Sequence, residues 1–308
     1  MAGKPLLIIL GPTAVGKTGL AVEVAKRIQG EIISADSRQI YRFMDIGTAK
    51  PTVKQQAAIR HHLIDVVNPD ENLSLAEYQK LARSAIDDIH TKGSIPMLVG
   101  GTGQYITALV EGWSIPQVAP NEALRAELEQ FAEEKGAGAL HERLEAIDPK
   151  AAASIDYRNV RRVIRALEVC IVSGEPISEL QRKHPPDYNM LHIGLTTERE
   201  RLYQQADKRI DMMVNEGFLP EVEGLLKAGF SRKLPSMSGL GYAELTAHLL
   251  DQVPLEEAIT LAKNNTHDFI RRQYTWFRGH DPGILWHNIN NNFETIFDIA
   301  DYWLKELG

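Results

Sequence analysis

The run Leu6-Leu-Ile-Ile-Leu10 passing directly into Gly11-Pro-Thr-Ala-Val-Gly-Lys17-Thr18 constrains this chain more than any other feature. A short apolar run that stops at glycine reads as a buried strand, and Leu20, Ala21, Val24, Ala25 and Ile28 then share one helical face until Gly30 ends the pattern. Between strand and helix stands G-x-x-x-x-G-K-[ST], a phosphate loop in its required context. Its glycines let backbone amides converge on phosphate oxygens, the helix N-terminus adds partial positive charge, Lys17 neutralises the anion, and Thr18 reaches a bound magnesium ion. An ordinary tight turn is the competing account, and agreement at every motif position and on both flanks argues against it. The loop specifies phosphate, not nucleotide: a diphosphate satisfies the same amides, lysine and magnesium as the outer phosphates of a nucleoside triphosphate.

Further buried strands are predicted at Glu31–Ala35, Leu63–Val67, Ile95–Val99 and His192–Thr196, with a weaker one at Ile284–Trp286. Ser74 and Glu77 form a capping box that starts a helix carrying Leu75, Tyr78, Ala82, Ala85 and Ile89 inward, and Thr197-x-x-Glu200 predicts another box. Pro220–Gly229, Tyr242–Asp251 and Leu255–Gly279 read as later helices. Alternation stops after Gly112, where the link Ile115 to Pro120 leads into charged helices that run to about His184-Pro-Pro186. The expected fold is therefore α/β: a P-loop NTPase-like parallel sheet flanked by helices, with an inserted all-helical domain and a helical C-terminal region. Residues 1–115 and 188–308 form the expected core and 116–187 the insertion.

Across 308 residues, 44% hydrophobic and 24% charged composition excludes disorder. The formal charge of −7 means that any nucleic acid must be held by a local basic surface, because the overall field repels a polyanion. The single cysteine, Cys170, excludes an internal disulfide and a thiolate zinc site, and burial is its expected fate. With no export signal in Met1 to Leu10 and no long apolar run, a cytoplasmic protein without membrane contact is expected.

Active sites of parallel sheets gather at the carboxyl ends of the strands. The second strand ends in Asp36-Ser37-Arg38-Gln39, where Asp36 can orient or deprotonate an amine, hold magnesium through water, or simply cap a helix. The fourth ends in Gly100-Gly-Thr102-Gly, which admits close approach and offers a hydroxyl, or is merely a flexible loop. Asp65 reads as a buried or capping aspartate more than as a second magnesium partner. Two basic segments answer the charge problem. In Tyr157 to Arg165 the apolar Val160, Val163 and Ile164 face a core while Arg158, Arg162 and Arg165 share another face suited to RNA phosphates. Arg271-Arg272-Gln273-Tyr274-Thr-Trp276-Phe-Arg278 interleaves guanidinium groups with aromatics, which suits phosphate contact with base stacking, or a partly buried helix end with solvated arginines.

Together these segments resemble the tRNA dimethylallyltransferases, also called tRNA isopentenyltransferases, in their bacterial form without a zinc-finger extension. The resemblance spans nearly the whole chain: GPTAVGKT at Gly11, ISADSRQIY at Ile33, MDIGTAKP at Met44, HHLIDV ending at Val66, LVGGTGQYI at Leu98, VRRVIRALEV at Val160 and RRQYTWFR at Arg271. It implies transfer of a dimethylallyl group from dimethylallyl diphosphate to the exocyclic amine of the adenine 3′ to the anticodon, with the helical insertion gripping the anticodon stem-loop, Mg2+ as cofactor and a monomeric enzyme. Asp36 matches the family's general base. Gly11, Pro12, Thr13, Ala14, Val15, Gly16, Lys17 and Thr18 match the diphosphate loop, with Arg209 facing the same group. Asp36, Ser37, Arg38, Gln39, Thr102, Arg125, Arg161, Arg162, Val163, Ile164 and Arg165 match tRNA contacts, to which the basic segment adds Arg271, Arg272 and Gln273. Gln205 stands where relatives usually carry arginine, and Thr266-His-Asp-Phe-Ile-Arg271 replaces the more usual T-R-x-x-A-K-R. Prenylation of free AMP and a small-molecule kinase are the competing enzymatic readings; a non-catalytic RNA-binding module leaves the phosphate loop unexplained.

Overall fold

The computed structural model describes residues 3–280, 283–290 and 293–307. Six strands make one sheet: β1 Lys4–Leu10, β2 Gly30–Ala35, β3 His61–His62, β4 Ile95–Gly100, β5 Tyr188–Thr196 and β6 Leu285–Asn288. Every pairing between these strands is parallel, in the order β3-β2-β4-β1-β5-β6. Leu6 to Ile9 are wholly buried because helices cover both faces of a parallel sheet, which is why the first strand is apolar at every position. The central position of β1 places the loop that follows it in the middle of the sheet's carboxyl edge.

In chain order the helices are α1 Lys17–Ile28, α2 Val53–Ala58, α3 Leu75–Thr91, α4 Gly103–Val110, α5 Glu122–Lys135, α6 Ala137–Ile147, α7 Pro149–Ser154, α8 Val160–Ser173, α9 Ile177–Leu180, α10 Arg199–Asn215, α11 Phe218–Lys227, α12 Tyr242–Asp251, α13 Leu255–His280 and α14 Glu294–Lys305. None is long and apolar enough to cross a membrane. The chain divides into two compact units, Met1–Leu109 with Asp187–Gly308, and Val110–Pro186. The first holds the sheet with a core from β1, α1, β5 and α10, and a second cluster in which Phe218, Tyr242 and Met44 pack together. The other unit is helical, packed on Leu128, Leu140, Leu144, Val163, Leu167 and the buried Cys170.

The expected box at Ser74 and Glu77 forms, the hydroxyl and the carboxylate each accepting the other's backbone N–H. Three local expectations fail. Leu63–Val67 is not a strand: the ladder with β2 ends at His62, Val67 makes only an isolated bridge to Tyr41, and Leu63 and Asp65 take left-handed backbone at φ 61° and 57°. The turn is held there because Asp65, Val66 and Val67 donate to carbonyls of Gln39 and Ile40, while the Asp65 carboxylate accepts from Lys50 Nζ at 2.5 Å. Asp65 is thus ion-paired, neither buried nor capping. Gly30 opens β2, and Gln29, at φ 55°, ends α1 in its place. Thr197 does not cap α10, whose N-cap is Glu198 without a side-chain bond; its hydroxyl accepts instead from Asn290 Nδ2.

Candidate active site

At the carboxyl edge of β1 the backbone turns through left-handed conformations at Ala14 and Gly16, φ 63° and 92°, before α1 begins at Lys17. Gly11 passes so close to β5 that a Cβ would stand 2.6 Å from the Leu195 carbonyl oxygen, so the motif's first glycine is required by packing. These turns leave Thr13, Ala14 and Gly16 to Gly19 lining a cavity of about 610 Å³. Asp36 to Gln39 from the end of β2, Gly100 to Thr102 from β4, Arg209 from α10, and Arg272 and Gln273 from α13 line the same cavity.

Two cations meet there. Burial lowers the Lys17 ammonium from its ordinary range to about 7, with Asp36 opposing the shift and Arg209 adding to it. Lys17 donates to the Pro12 carbonyl at 2.7 Å. The Arg209 guanidinium is also pushed down by burial and held up by Asp36, and its Nη1 lies 3.5 Å from the Thr13 hydroxyl. Two desolvated cations facing one carboxylate form a site short of negative charge, the arrangement that an anionic ligand completes.

The Asp36 carboxylate accepts the Arg38 N–H at 2.8 Å, which fixes the turn and leaves its other oxygen open to the cavity residues. Thr102 accepts the Ser37 N–H at 3.0 Å, joining the ends of β2 and β4. Arg38 is tethered to the Pro235 carbonyl at 2.6 Å. Gln39 accepts from Ser34 and donates to the carbonyls of Thr48 and Ala49, so it braces the MDIGTAKP loop. That loop has another anchor, Glu221 of α11, which accepts the backbone N–H groups of Asp45, Ile46 and Gly47 and the Tyr242 hydroxyl. Nothing in the local pattern around Glu221 marks this role, because the loop residues that it holds lie more than 170 positions away.

Among the described residues no group of three or more histidine, cysteine or carboxylate side chains is placed to hold a metal. A magnesium ion fits only a site where phosphate oxygens and water supply most ligands, and Thr18, beside Lys17 on the cavity wall, is the protein ligand that such a site uses.

The C-terminal basic segment differs from its expected role. Gln273 is 6% exposed and both ends of its amide are engaged, accepting the Thr13 N–H at 2.9 Å and donating to the Gly101 carbonyl at 2.8 Å. It therefore presents no surface to RNA. Trp276 donates to Thr107 and Tyr274 bonds Thr196, so both partly buried rings are anchored to the sheet unit. Arg271 pairs with Asp268, whereas Arg272 lies over the Phe269 ring and reaches the cavity.

In the helical unit Asn159 caps α8 by accepting the Arg162 N–H. Arg161 and Arg162 project into solvent with no side-chain partner among the described residues. Arg158 pairs with Asp156. Val163 and Ile164, 0% and 4% exposed, belong to the core, so their side chains offer no RNA contact, a correction that follows from their place on the apolar face of α8. Arg165 and Arg125 converge on Glu168, a carboxylate with no exposed surface, at 2.5 and 2.8 Å. In the sequence, an acidic residue on the inner face of a basic helix is the signal for Glu168.

The fold and site define a phosphate-loop protein built to hold a multiply charged anion beside a carboxylate. A family described as IPP transferase matches residues 39–280, and the chain belongs to it. A tRNA dimethylallyltransferase of Herpetosiphon aurantiacus is 54% identical over 278 residues, 90% of this chain and 88% of that protein. One from Acetivibrio thermocellus is 45% identical across 98% of both chains. The tRNA isopentenylpyrophosphate transferase of Bacillus halodurans superposes with a TM-score of 0.73 at 42% identity, covering 99% of this chain and 97% of that one. A eukaryotic dimethylallyltransferase captured acting on tRNA gives 0.84 at 25% identity over 98% and 80%.

Proposed function

We propose that the protein transfers the dimethylallyl group of dimethylallyl diphosphate to the exocyclic amine of the unpaired adenine 3′ to the tRNA anticodon, acting as a cytoplasmic monomer. The observation that carries this is the pair of desolvated cations, Lys17 and Arg209, lining one cavity together with Asp36. Charge develops on the diphosphate as the allylic carbon–oxygen bond breaks, and preorganised amides, Lys17 and Arg209 stabilise it without reorganising. Magnesium, held through Thr18, supplies further charge neutralisation when bound. Asp36 accepts a hydrogen bond from the adenine amine, aligns it, and takes its proton as the nitrogen–carbon bond forms. Deprotonation before attack is excluded by the weak acidity of that amine. An adenine in a loop leaves its stack for roughly a few kcal/mol, which restricts acceptors to unpaired bases.

The free guanidiniums of Arg161 and Arg162 would meet the RNA phosphates of the anticodon stem, while Arg125 and Arg165 add charge partly neutralised by Glu168. At the acceptor side Ser37, Arg38, Gln39 and Thr102 shape the entrance, with Arg271 and Arg272 adding positive charge. To test the reading, labelled dimethylallyl diphosphate and magnesium are incubated separately with tRNA, AMP and ATP. Label should appear only in tRNA, inorganic diphosphate should compete with the donor, and ATP should be neither consumed nor required. Labelled AMP, or obligatory ATP turnover, overturns the assignment.

A further inference from the structure

The buried amide of Gln273 spans two loops that come from opposite ends of the reaction. Its Oε1 accepts from Thr13 in the phosphate loop, and its Nε2 donates to Gly101, next to Thr102. Thr13 also meets Arg209 through its hydroxyl. Thr102 accepts from Ser37, which adjoins Asp36. A continuous polar path thus runs from Arg209 through Thr13, Gln273, Gly101, Thr102 and Ser37 to Asp36. Gly101 is fitted to this contact: a Cβ there would stand 2.5 Å from Gln273 Nε2. An amide carries an acceptor and a donor on one rigid plane at any pH, so this side chain satisfies a backbone N–H and a carbonyl together.

We infer that Gln273 is a positioning residue that sets the register between the diphosphate loop and the acceptor loop. Both polar ends of its amide are engaged by the two loops, so it acts through them. Losing either bond leaves a buried backbone group unpaired and frees one loop to drift relative to the other. Because in-line transfer depends on alignment within a fraction of an ångström, the loss falls on turnover, not on the binding of either substrate alone.

This inference rests on the transfer reaction proposed above, so wild-type turnover is measured first; its absence counts against that reaction, whereas the arms below address Gln273. Gln273→Met keeps the shape and removes both bonds. Its expected kcat, per correctly folded site counted by inorganic diphosphate binding, is tenfold or more below wild type, with both Michaelis constants within about threefold. Hydrogen exchange at the Thr13 amide should accelerate at least tenfold whether or not the protein turns over. Gln273→Glu, assayed above the pH at which its carboxyl ionises, keeps an acceptor for Thr13 but sets a carboxylate oxygen against the Gly101 carbonyl. It should leave Thr13 protected and still lose turnover, and it serves as the second test if the methionine variant does not fold. A per-site kcat at the wild-type level in either variant, or a Thr13 amide that exchanges no faster in Gln273→Met, overturns the inference. A lower unfolding temperature with unchanged per-site kcat assigns Gln273 a purely structural role, and likewise overturns it.

Discussion

Raising the pH should cost the enzyme its donor before it costs it the fold, and the cause is Lys17. In the ligand-free site burial lowers this ammonium to about 7, so near pH 8 most of the population carries a neutral amine. A bound diphosphate places negative charge beside it and restores the proton. Binding therefore takes up a proton wherever free Lys17 is neutral, and the apparent dissociation constant rises with pH above 7. With a free-site value of about 7, the population term predicts a weakening of about fiftyfold between pH 7 and pH 9, and uptake of about 0.9 proton per donor bound at pH 8. The sign for folding is opposite: because the folded ammonium is held below its unfolded value, the ligand-free protein gains stability as pH rises from 7 towards 10.5. Titration calorimetry in buffers of different ionisation enthalpy, at fixed magnesium, reads the protons directly. The same series on Lys17→Met carries whatever titration belongs to the donor, and the difference belongs to Lys17. Equal pH slopes in the two proteins, or no proton uptake at pH 8, would refute the reasoning.

Asp36→Asn keeps an acceptor for the Arg38 N–H, so the turn should survive while kcat falls roughly a hundredfold, the usual scale for loss of a general base. Single-turnover rates at saturating tRNA check this, and a near wild-type rate removes Asp36 from the chemistry. Arg161→Ala with Arg162→Ala should raise the Michaelis constant for tRNA and reduce the salt slope of binding by about 1.5, without moving the unfolding temperature. An unchanged slope in a folded protein would leave these arginines as solvated surface. Arg125→Ala should behave differently, because Glu168 loses its bidentate partner and keeps only Arg165 and the Asn121 N–H. Destabilisation of the helical unit by about 2 kcal/mol is expected, measured by denaturant unfolding, and no change there would show that the pair contributes nothing.

The parts of the site that were legible are those whose chemistry is local. A phosphate loop announces itself because left-handed backbone, close approach to Leu195 and the first turn of α1 each dictate a residue within eight positions. Asp36 and Thr102 were legible for a related reason: strand ends in a parallel sheet must gather at one edge, so the sequence order of β2 and β4 already implies a meeting. Leu63–Val67 misled because an apolar run has the same look in a strand as in a turn fastened by Lys50 from outside it. Gln273 misled in the other direction. Lying among arginines, it reads as part of a surface, and only its partners 260 and 172 positions away reveal that it points inward.

The same distinction separates the two basic segments. An arginine on a helix is legible as a cation, but whether it is available to RNA depends on an acceptor that periodicity does not announce. On α8 the apolar stripe places Val163 and Ile164 inside and leaves Arg161 and Arg162 outside, as the spacing requires. Glu168, on the inner face of that helix, then draws Arg165 and Arg125 towards it, since a carboxylate with no exposed surface is tolerable only when paired. At the cavity the logic is reversed: Lys17 and Arg209 are desolvated with only Asp36 to answer them, and the missing charge is the ligand's. Cations held by a buried carboxylate maintain a fold, whereas cations left short of one hold a substrate.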